Sequence, residues 1–271
     1  MEPAAEVLAG DPARGEVIAG LGACGACHTA EGGEPFAGGY GIETKFGTFF
    51  APNITPDATT GIGGWSYDDF VHALRDGRSP RGRPYVAAFP YAAYTRMSDA
   101  DLADLWAYLR GVAPVEAVER ANEVRWPYDT RFATAAWRTF EFRREPPAED
   151  RGEYLATGPG HCGECHTPRN AIGGLRARRE FQGADDPPEP SPDLTAIIGE
   201  GWSQSDVVEL LTSGMAPDGD MIGGVMRGLV VDGTSRLSVS DREALAAYVL
   251  SRAPNRHAKP DAEPPSDGED W

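Results

Sequence analysis

The sequence predicts a mostly α protein built as two tandem domains of one fold, joined by an interdomain helical segment. Three observations predict it. The chain repeats its own motifs in the same order across its 271 residues. Each repeat holds three segments with helix-start signals. The stretches between them are rich in Gly and Pro, of which the chain has 33 and 23.

The repeat opens with "RGEVIAGLGACGACHT" at Arg14 and "RGEYLATGPGHCGECHT" at Arg151, the second longer by one residue. "PNIT" (52–55) then matches "PDLT" (192–195), and "GGWSYDDFVHALRDG" (63–77) matches "EGWSQSDVVELLTSG" (200–214). "MSDADLADLWAYL" (97–109) matches "LSVSDREALAAYV" (237–249). A first helix is expected to lead into each cysteine pair. A second follows each Gly-Trp-Ser, with Ser66 or Ser203 as N-cap. A third starts at Ser98 or Ser238, each with an Asp three residues on, Asp101 or Asp241, in a capping-box-like pattern. In that helix Leu102, Leu105, Trp106 and Leu109 fall at i, i+3, i+4 and i+7, a stripe that asks for burial.

The expected boundaries are a first domain over 1–117, an interdomain helix and hinge over 118–150, a second domain over 151–258 and an acidic, mobile tail over 259–271. Within 118–150, residues 129–142 read as a helix packed between the domains, because Trp126, Phe132, Trp137 and Phe140 call for burial. "GADDPPEPSPD" (183–193) reads as a second mobile, solvated stretch. Domains of about 100 residues with so few regular elements have thin cores. A large apolar cofactor inside each would add the missing buried surface.

The formal net charge is −17, split as 20 acidic and 14 basic side chains in residues 1–145 and 22 and 11 in residues 146–271. This acidity argues against nucleic acid as a partner. No run of about 18 apolar residues exists, so no integral membrane segment is expected. The start, "MEPAAEVLAG", has neither the basic region nor the apolar stretch of a signal peptide.

All four cysteines lie in two Cys-x-x-Cys-His motifs, "CGACH" (24–28) and "CGECH" (162–166). A zinc site would need four ligands, and here each repeat offers two cysteines and one histidine. A thioredoxin-like pair expects a βαβ setting and leaves the histidine without a role. Covalent haem attachment uses all three residues: two thiols add to the two vinyl groups, and the next imidazole coordinates the iron. The other ring nitrogen then needs an acceptor, usually a backbone carbonyl. Cys24, Cys27 and His28 are assigned to one covalently bound haem c, and Cys162, Cys165 and His166 to a second.

Beyond these motifs the chain resembles the multihaem cytochrome c subunits that accept electrons from periplasmic alcohol, gluconate and aldehyde dehydrogenases. The resemblance rests on "CHTAEGGEPFAGGYGIETKFGTFFAPNITPD", "GIGGWSYDDFVHALRDG", "AFPYAAYTRMSDADLADLWAYL", "RWPYDTRFATAAW" and "GHCGECHTPRN". It implies two tandem class I cytochrome c-like domains. Those relatives usually carry three haems and a membrane-binding tail, where this sequence has two motifs and an acidic tail.

Electron-carrying haems often take His and Met as axial ligands, and the chain has five methionines. The resemblance implies Met226, in "GGVMRGLVVDGTSRLS", for the second haem, with Met221 and then Met215 as rivals. In the first domain the corresponding position is Phe89, in "AAFPY", which cannot ligate iron. Met97 is expected to take its place; the alternatives are His72 or a five-coordinate iron. His161 is not expected to reach the iron, and His257 is expected to be solvated. The resemblance also places Trp65, Trp202, Asn53 and Thr55 around the haem propionates, with plain packing and turn roles as the other reading. Arg75, Arg78, Arg81 and Arg83 form a basic run that reads as a docking patch or a solvated loop.

The function this implies is a dihaem c-type cytochrome of the bacterial periplasm, soluble or peripherally membrane-associated. It would pass single electrons from a dehydrogenase to another cytochrome or a terminal oxidase. The alternative is a dihaem redox enzyme with an open first haem, peroxidase-like or thiosulfate dehydrogenase-like.

Overall fold

The computed structural model describes residues 9–185, 190–199 and 201–252. The predicted tail over 259–271, His257 and the middle of the 183–193 stretch lie outside them. Helix α1 (Pro12–Leu21) leads into the short α2 (Cys24–His28). A hairpin of β1 (Gly41–Thr44) and β2 (Gly47–Phe50) follows, then α3 (Tyr67–Asp76), the single turn α4 (Tyr91–Tyr94) and α5 (Asp99–Gly111). Strand β3 (Glu123–Val124) adds to β2, and α6 (Arg131–Glu141) comes next. The order then recurs: α7 (Arg151–Thr157), α8 (Gly163–His166), β4 (Gln182–Ala184) paired with β5 (Ser191–Asp193), α9 (Leu194–Gly199), α10 (Gln204–Ser213), α11 (Gly224–Asp232) and α12 (Val239–Ser251).

Local chemistry sets the helix ends. Asp11 caps α1 by accepting from the Ala13 and Arg14 N–H groups, and Pro12 occupies the first helical position. Ser66 and Ser203 each close a full capping box, with Asp69 and Asp206. Gly77 (φ 55°) and Gly214 (φ 81°) end those helices in the left-handed region. Ser98 and Ser238 cap α5 and α12, but Asp101 and Asp241 do not complete a box. Each has a stronger partner. Asp101 accepts from the Tyr154 hydroxyl, which itself accepts from the Ser98 N–H at 3.0 Å. Asp241 takes a two-pronged bond from Arg151 at 2.7 and 3.0 Å.

Two buried clusters form the core. One gathers Ile18, Phe70, Leu74, Tyr94, Met97, Leu102, Leu105 and Leu109. The other gathers Leu21, Tyr154, Leu155, Phe181, Val207, Leu211, Leu237 and Leu245. The Leu102–Leu105–Leu109 stripe is buried as its spacing predicts, with Trp106 packed half-buried beside it. Leu21 sits in the second cluster although α1 opens the first repeat, so α1 serves both cores.

Each repeat has one close helix crossing. A Cβ on Gly15 would lie 1.9 Å from the Asp104 carbonyl and 2.8 Å from the Tyr108 Cβ. A Cβ on Gly152 would lie 2.1 Å from the Ala244 carbonyl and 2.8 Å from the Tyr248 Cβ. The backbones of α1 and α5, and of α7 and α12, therefore touch through glycine.

Two expectations need correction. The helix expected over 129–142 forms, but three of its aromatic neighbourhood are not buried: Trp126 is 81% exposed, Phe132 82% and Phe140 69%. Helix α6 packs on the first repeat through Trp137, which meets Tyr91. The rings of Phe132 and Phe140 stay largely accessible. The stretch 183–193 is also not wholly loose, because its two ends pair as β4 and β5. The hairpin over 41–50 went unforeseen.

Gly15→Ala should lower unfolding stability by roughly 1–3 kcal/mol, the usual range for overpacking, read from urea midpoints. Gly111→Ala, with no atom within 4 Å of the new Cβ, should stay within about 1 kcal/mol of the parent. Equal stability of the two variants would contradict the crossing argument.

Candidate haem sites

The turn before each cysteine pair is built the same way. The helix stops at glycine, and one residue in the left-handed region redirects the chain: Ala23 (φ 48°) before Cys24 and His161 (φ 35°) before Cys162. The next residues close a short helical turn that ends on the histidine, α2 and α8.

Each imidazole is then oriented by one backbone carbonyl. His28 donates from Nδ1 to the Pro52 oxygen at 2.7 Å, and His166 from Nδ1 to the Pro192 oxygen at 3.1 Å. These prolines open "PNIT" and "PDLT", so the matched tetrapeptides carry the acceptors that the motif requires. With Nδ1 committed as a donor, Nε2 is the nitrogen left with a lone pair. Burial lowers the pKa of both imidazoles, against an opposing contribution from the carbonyl, and favours the neutral, ligating form.

Three of the four cysteines are half-buried, and Cys165 is exposed. Burial pushes Cys24 and Cys162 up to about 12 and Cys27 up to about 11, and raises Cys165. The second influence on Cys27 is Cys165, so the two motif turns are neighbours. Among the described residues no group of three or more His, Cys, Asp and Glu side chains is gathered as a zinc site would need.

Both motifs open into one cleft of about 1970 Å³, about twice the upper end of ordinary single-ligand pockets near 1,000 Å³. Its walls include Phe70, Leu105 and Leu109 from the first repeat and Leu194, Val207 and Leu211 from the second. An apolar cleft carrying two thiol pairs, each beside an imidazole with a free Nε2, fits a large planar iron porphyrin at each motif.

Met97 and Met226 line this cleft. Met97 is fully buried in the first core, with its carbonyl held by Arg75 at 2.6 Å. Met226 is half-buried on α11. Met215 and Met221 are exposed and bridge each other outside the cleft lining. His72 pairs with Asp76 at 2.8 Å on the outer face of α3. Phe89 packs against the rings of Tyr85, Tyr91 and Tyr94. His161 lines the cleft but turns its Nε2 to the Gly22 carbonyl at 3.1 Å.

Of the four residues placed around propionates, Trp65 and Trp202 line the cleft, and their indole N–H groups make no hydrogen bond to described residues. Asn53 also reaches the cleft, yet its amide donates to the Val115 carbonyl at 2.7 Å and the Thr60 hydroxyl at 2.9 Å and accepts from the Thr55 N–H at 2.9 Å. Thr55 is fully buried, with its hydroxyl exchanged with Val115. Thr55 and Asn53 hold the 112–117 strand of chain over the first repeat.

The cytochrome c family model matches residues 12–113. A diheme cytochrome c-type protein of Cereibacter sphaeroides is 40% identical over 91% of this chain and 87% of its own length. The chain is a member of the cytochrome c family. This cytochrome therefore carries covalently bound haem c and takes part in electron transport. The gluconate 2-dehydrogenase cytochrome c subunit of Pantoea cypripedii is 38% identical over 88% of the chain. The cytochrome c subunit of the quinone-type alcohol dehydrogenase of Gluconobacter oxydans is also 38% identical over 88% of it. The chain spans only 58% and 54% of these two subunits. No helix among the described residues is long and apolar enough to cross a membrane.

Asn53→Ala removes three hydrogen bonds and strands the buried Thr55 N–H, so it should cost about 2–3 kcal/mol. The measurement is the urea midpoint by circular dichroism, and an unshifted midpoint would contradict the role given to Asn53.

Proposed function

We propose that this cytochrome is a dihaem electron carrier of the bacterial periplasm, soluble or peripherally attached to a membrane. It takes single electrons from a dehydrogenase and passes them to another cytochrome or a terminal oxidase. Its architecture in this reading is two tandem class I cytochrome c-like domains, with residues 118–150 between them. The observation that carries the proposal is the recurrence, in one cleft, of the same built turn: thiol pair, adjacent imidazole and proline carbonyl on Nδ1.

Bound haem supplies a reversible one-electron change at its iron. The chain's residues do the rest. Cys24 and Cys27, and Cys162 and Cys165, tether a porphyrin to each turn. His28 and His166 present Nε2 from a ring that the proline carbonyl keeps from rotating. Met97 and Met226 are proposed as the opposite ligands, supported by their place in the cleft wall. Trp65 and Trp202 offer free indole donors for propionates. The apolar walls exclude water and favour the less charged state of the site. The names of the dehydrogenase subunits to which the chain is similar support a dehydrogenase as donor. A buried methionine beside the first motif supports a closed first site over an open, enzymatic one.

Replacing Cys24 and Cys27 together by Ala should leave one covalently bound haem of two, read as the intact mass and as half the pyridine haemochrome absorbance per chain. A parent protein weighing no more than its amino acids would overturn the proposal. Met97→Ala and Met226→Ala should each remove part of the weak red sulfur-to-iron band. An unchanged band in either variant would reassign that ligand.

A further inference from the structure

The segment between the repeats builds a surface that the haem reading does not use. Strand β3 joins the hairpin through the Gly47–Val124 pairing, and the Phe46 and Tyr128 rings meet at 4.4 Å. Helix α6 packs on the first repeat through Trp137 and Tyr91, and Arg138 donates to the Gly77 carbonyl at 3.5 Å. Arg144 pairs with Asp76 at 3.4 Å. The loop after α3, the hairpin and residues 118–144 are thus one continuous face. It borders the cleft, whose lining includes Val118, Trp126, Phe132 and Phe140.

Two properties set this face apart. Its large apolar groups point outward: Val118 is 92% exposed, with Trp126, Phe132 and Phe140 also mainly accessible. Its charge is reversed relative to the chain. Residues 41–50, 77–90 and 118–144 carry nine arginines and one lysine against five carboxylates, while the whole chain carries 25 basic and 42 acidic side chains. The side chains of Arg81, Arg83, Arg125 and Arg131 have no ion-pair or hydrogen-bond partner among the described residues. Arg143 bonds only the carbonyls of its own helix end. Aromatic rings with nine arginines to one lysine match the composition of protein contact centres.

We infer that this arginine-ringed aromatic face, at the mouth of the haem cleft, is the docking surface for an electron-transfer protein whose own contact face has an apolar centre ringed by carboxylates. The inference rests on the electron-carrier reading above. Charge complementarity selects the occupant. A second copy seated symmetrically on this face would set arginine against arginine, whereas an acidic ring on a partner meets the arginines directly.

The test uses the dihaem holoprotein and, as a probe, plastocyanin, a small copper protein with an acidic docking face, with ferricyanide as a small anion. Stopped-flow oxidation of the reduced cytochrome by either probe should slow as ionic strength rises. A protein reacting through its average acidic surface would give the opposite slope. Arg125→Gln with Arg131→Gln should cut both rates about tenfold at low salt and flatten the slope. Phe132→Ser with Phe140→Ser should cut the plastocyanin rate about tenfold, cut the ferricyanide rate far less and leave two haems bound per chain. Rates that rise with salt, or variants that react like the parent, overturn the inference. So does a lost haem in the phenylalanine variant, which would make the rings part of the haem pocket. A dimer in sedimentation velocity that the phenylalanine variant abolishes would hand the face to a second copy. Pyridine haemochrome counts on the same samples separate the two readings: a haem-free chain overturns both, and a dihaem chain with the wrong slope overturns only this one.

Discussion

Helix α1 is squeezed from two sides, and much of the molecule depends on it. At Gly15 its backbone meets the backbone of α5, and at Gly20 a Cβ would lie 1.8 Å from the Asp232 carbonyl at the end of α11. Any side chain at either place would push a neighbouring helix away. Between those contacts Ile18 and Ala19 enter the first core, while Leu21 enters the second with Val17 packed against it. The helix thus places the first cysteine turn, seats α5 and fixes α11, which carries Met226. The Gly22 carbonyl at its end accepts from the Tyr94 hydroxyl at 3.2 Å and from His161 at 3.1 Å. Since His161 immediately precedes Cys162, the two cysteine turns are tied to each other by one buried carbonyl. The repeats are consequently not beads on a hinge. A salt bridge from Glu16 to Arg236 at 2.9 Å adds to the same seam, although an exposed pair contributes little by itself.

What could be read from the sequence was what local chemistry decides. The serine caps, the leucine stripe and the cysteine–histidine motifs each depend on residues a few positions apart, and each formed where its pattern lay. The acceptors of His28 and His166 were legible only as two matching tetrapeptides, because a backbone carbonyl leaves no mark on residue type. The hairpin was missed for a physical reason: four-residue strands with a two-residue turn carry too little alternation to stand out from a Gly-rich loop. The reading of Trp126, Phe132 and Phe140 as buried failed because apolar character demands removal from water without saying by which molecule. The half-completed capping boxes at α5 and α12 failed for another reason, since Tyr154 and Arg151 compete for the same carboxylates from far along the chain.

The thin cores and the large cleft are one design. Helices of four to thirteen residues cannot enclose a dry interior unaided, so their inner faces are left as walls. Those walls raise the thiols and lower the imidazoles toward their neutral forms. A neutral imidazole is the one that ligates, and it needs no proton removed first. The same desolvation makes a lone buried charge costly. That is why Asp104, a deeply buried carboxylate of the first repeat, is fully engaged by Arg14 at 2.8 and 3.2 Å and by the Asp11 N–H at 2.6 Å.

Net charge is a poor guide to how such a molecule meets another. At physiological ionic strength a charge is felt over about 8 Å, far less than the width of a protein of this size. The carboxylates of residues 146–271, 22 against 11 basic groups, therefore act only on a partner that sits close to them. The arginines of the loop after α3 and of residues 118–144 act only at contact, where each is within a screening length of the incoming surface. A long-range field and a short-range patch of opposite sign are compatible for this reason. A partner docked on that patch would sit at the cleft into which both cysteine turns open, without any movement of the tightly crossed helices behind it.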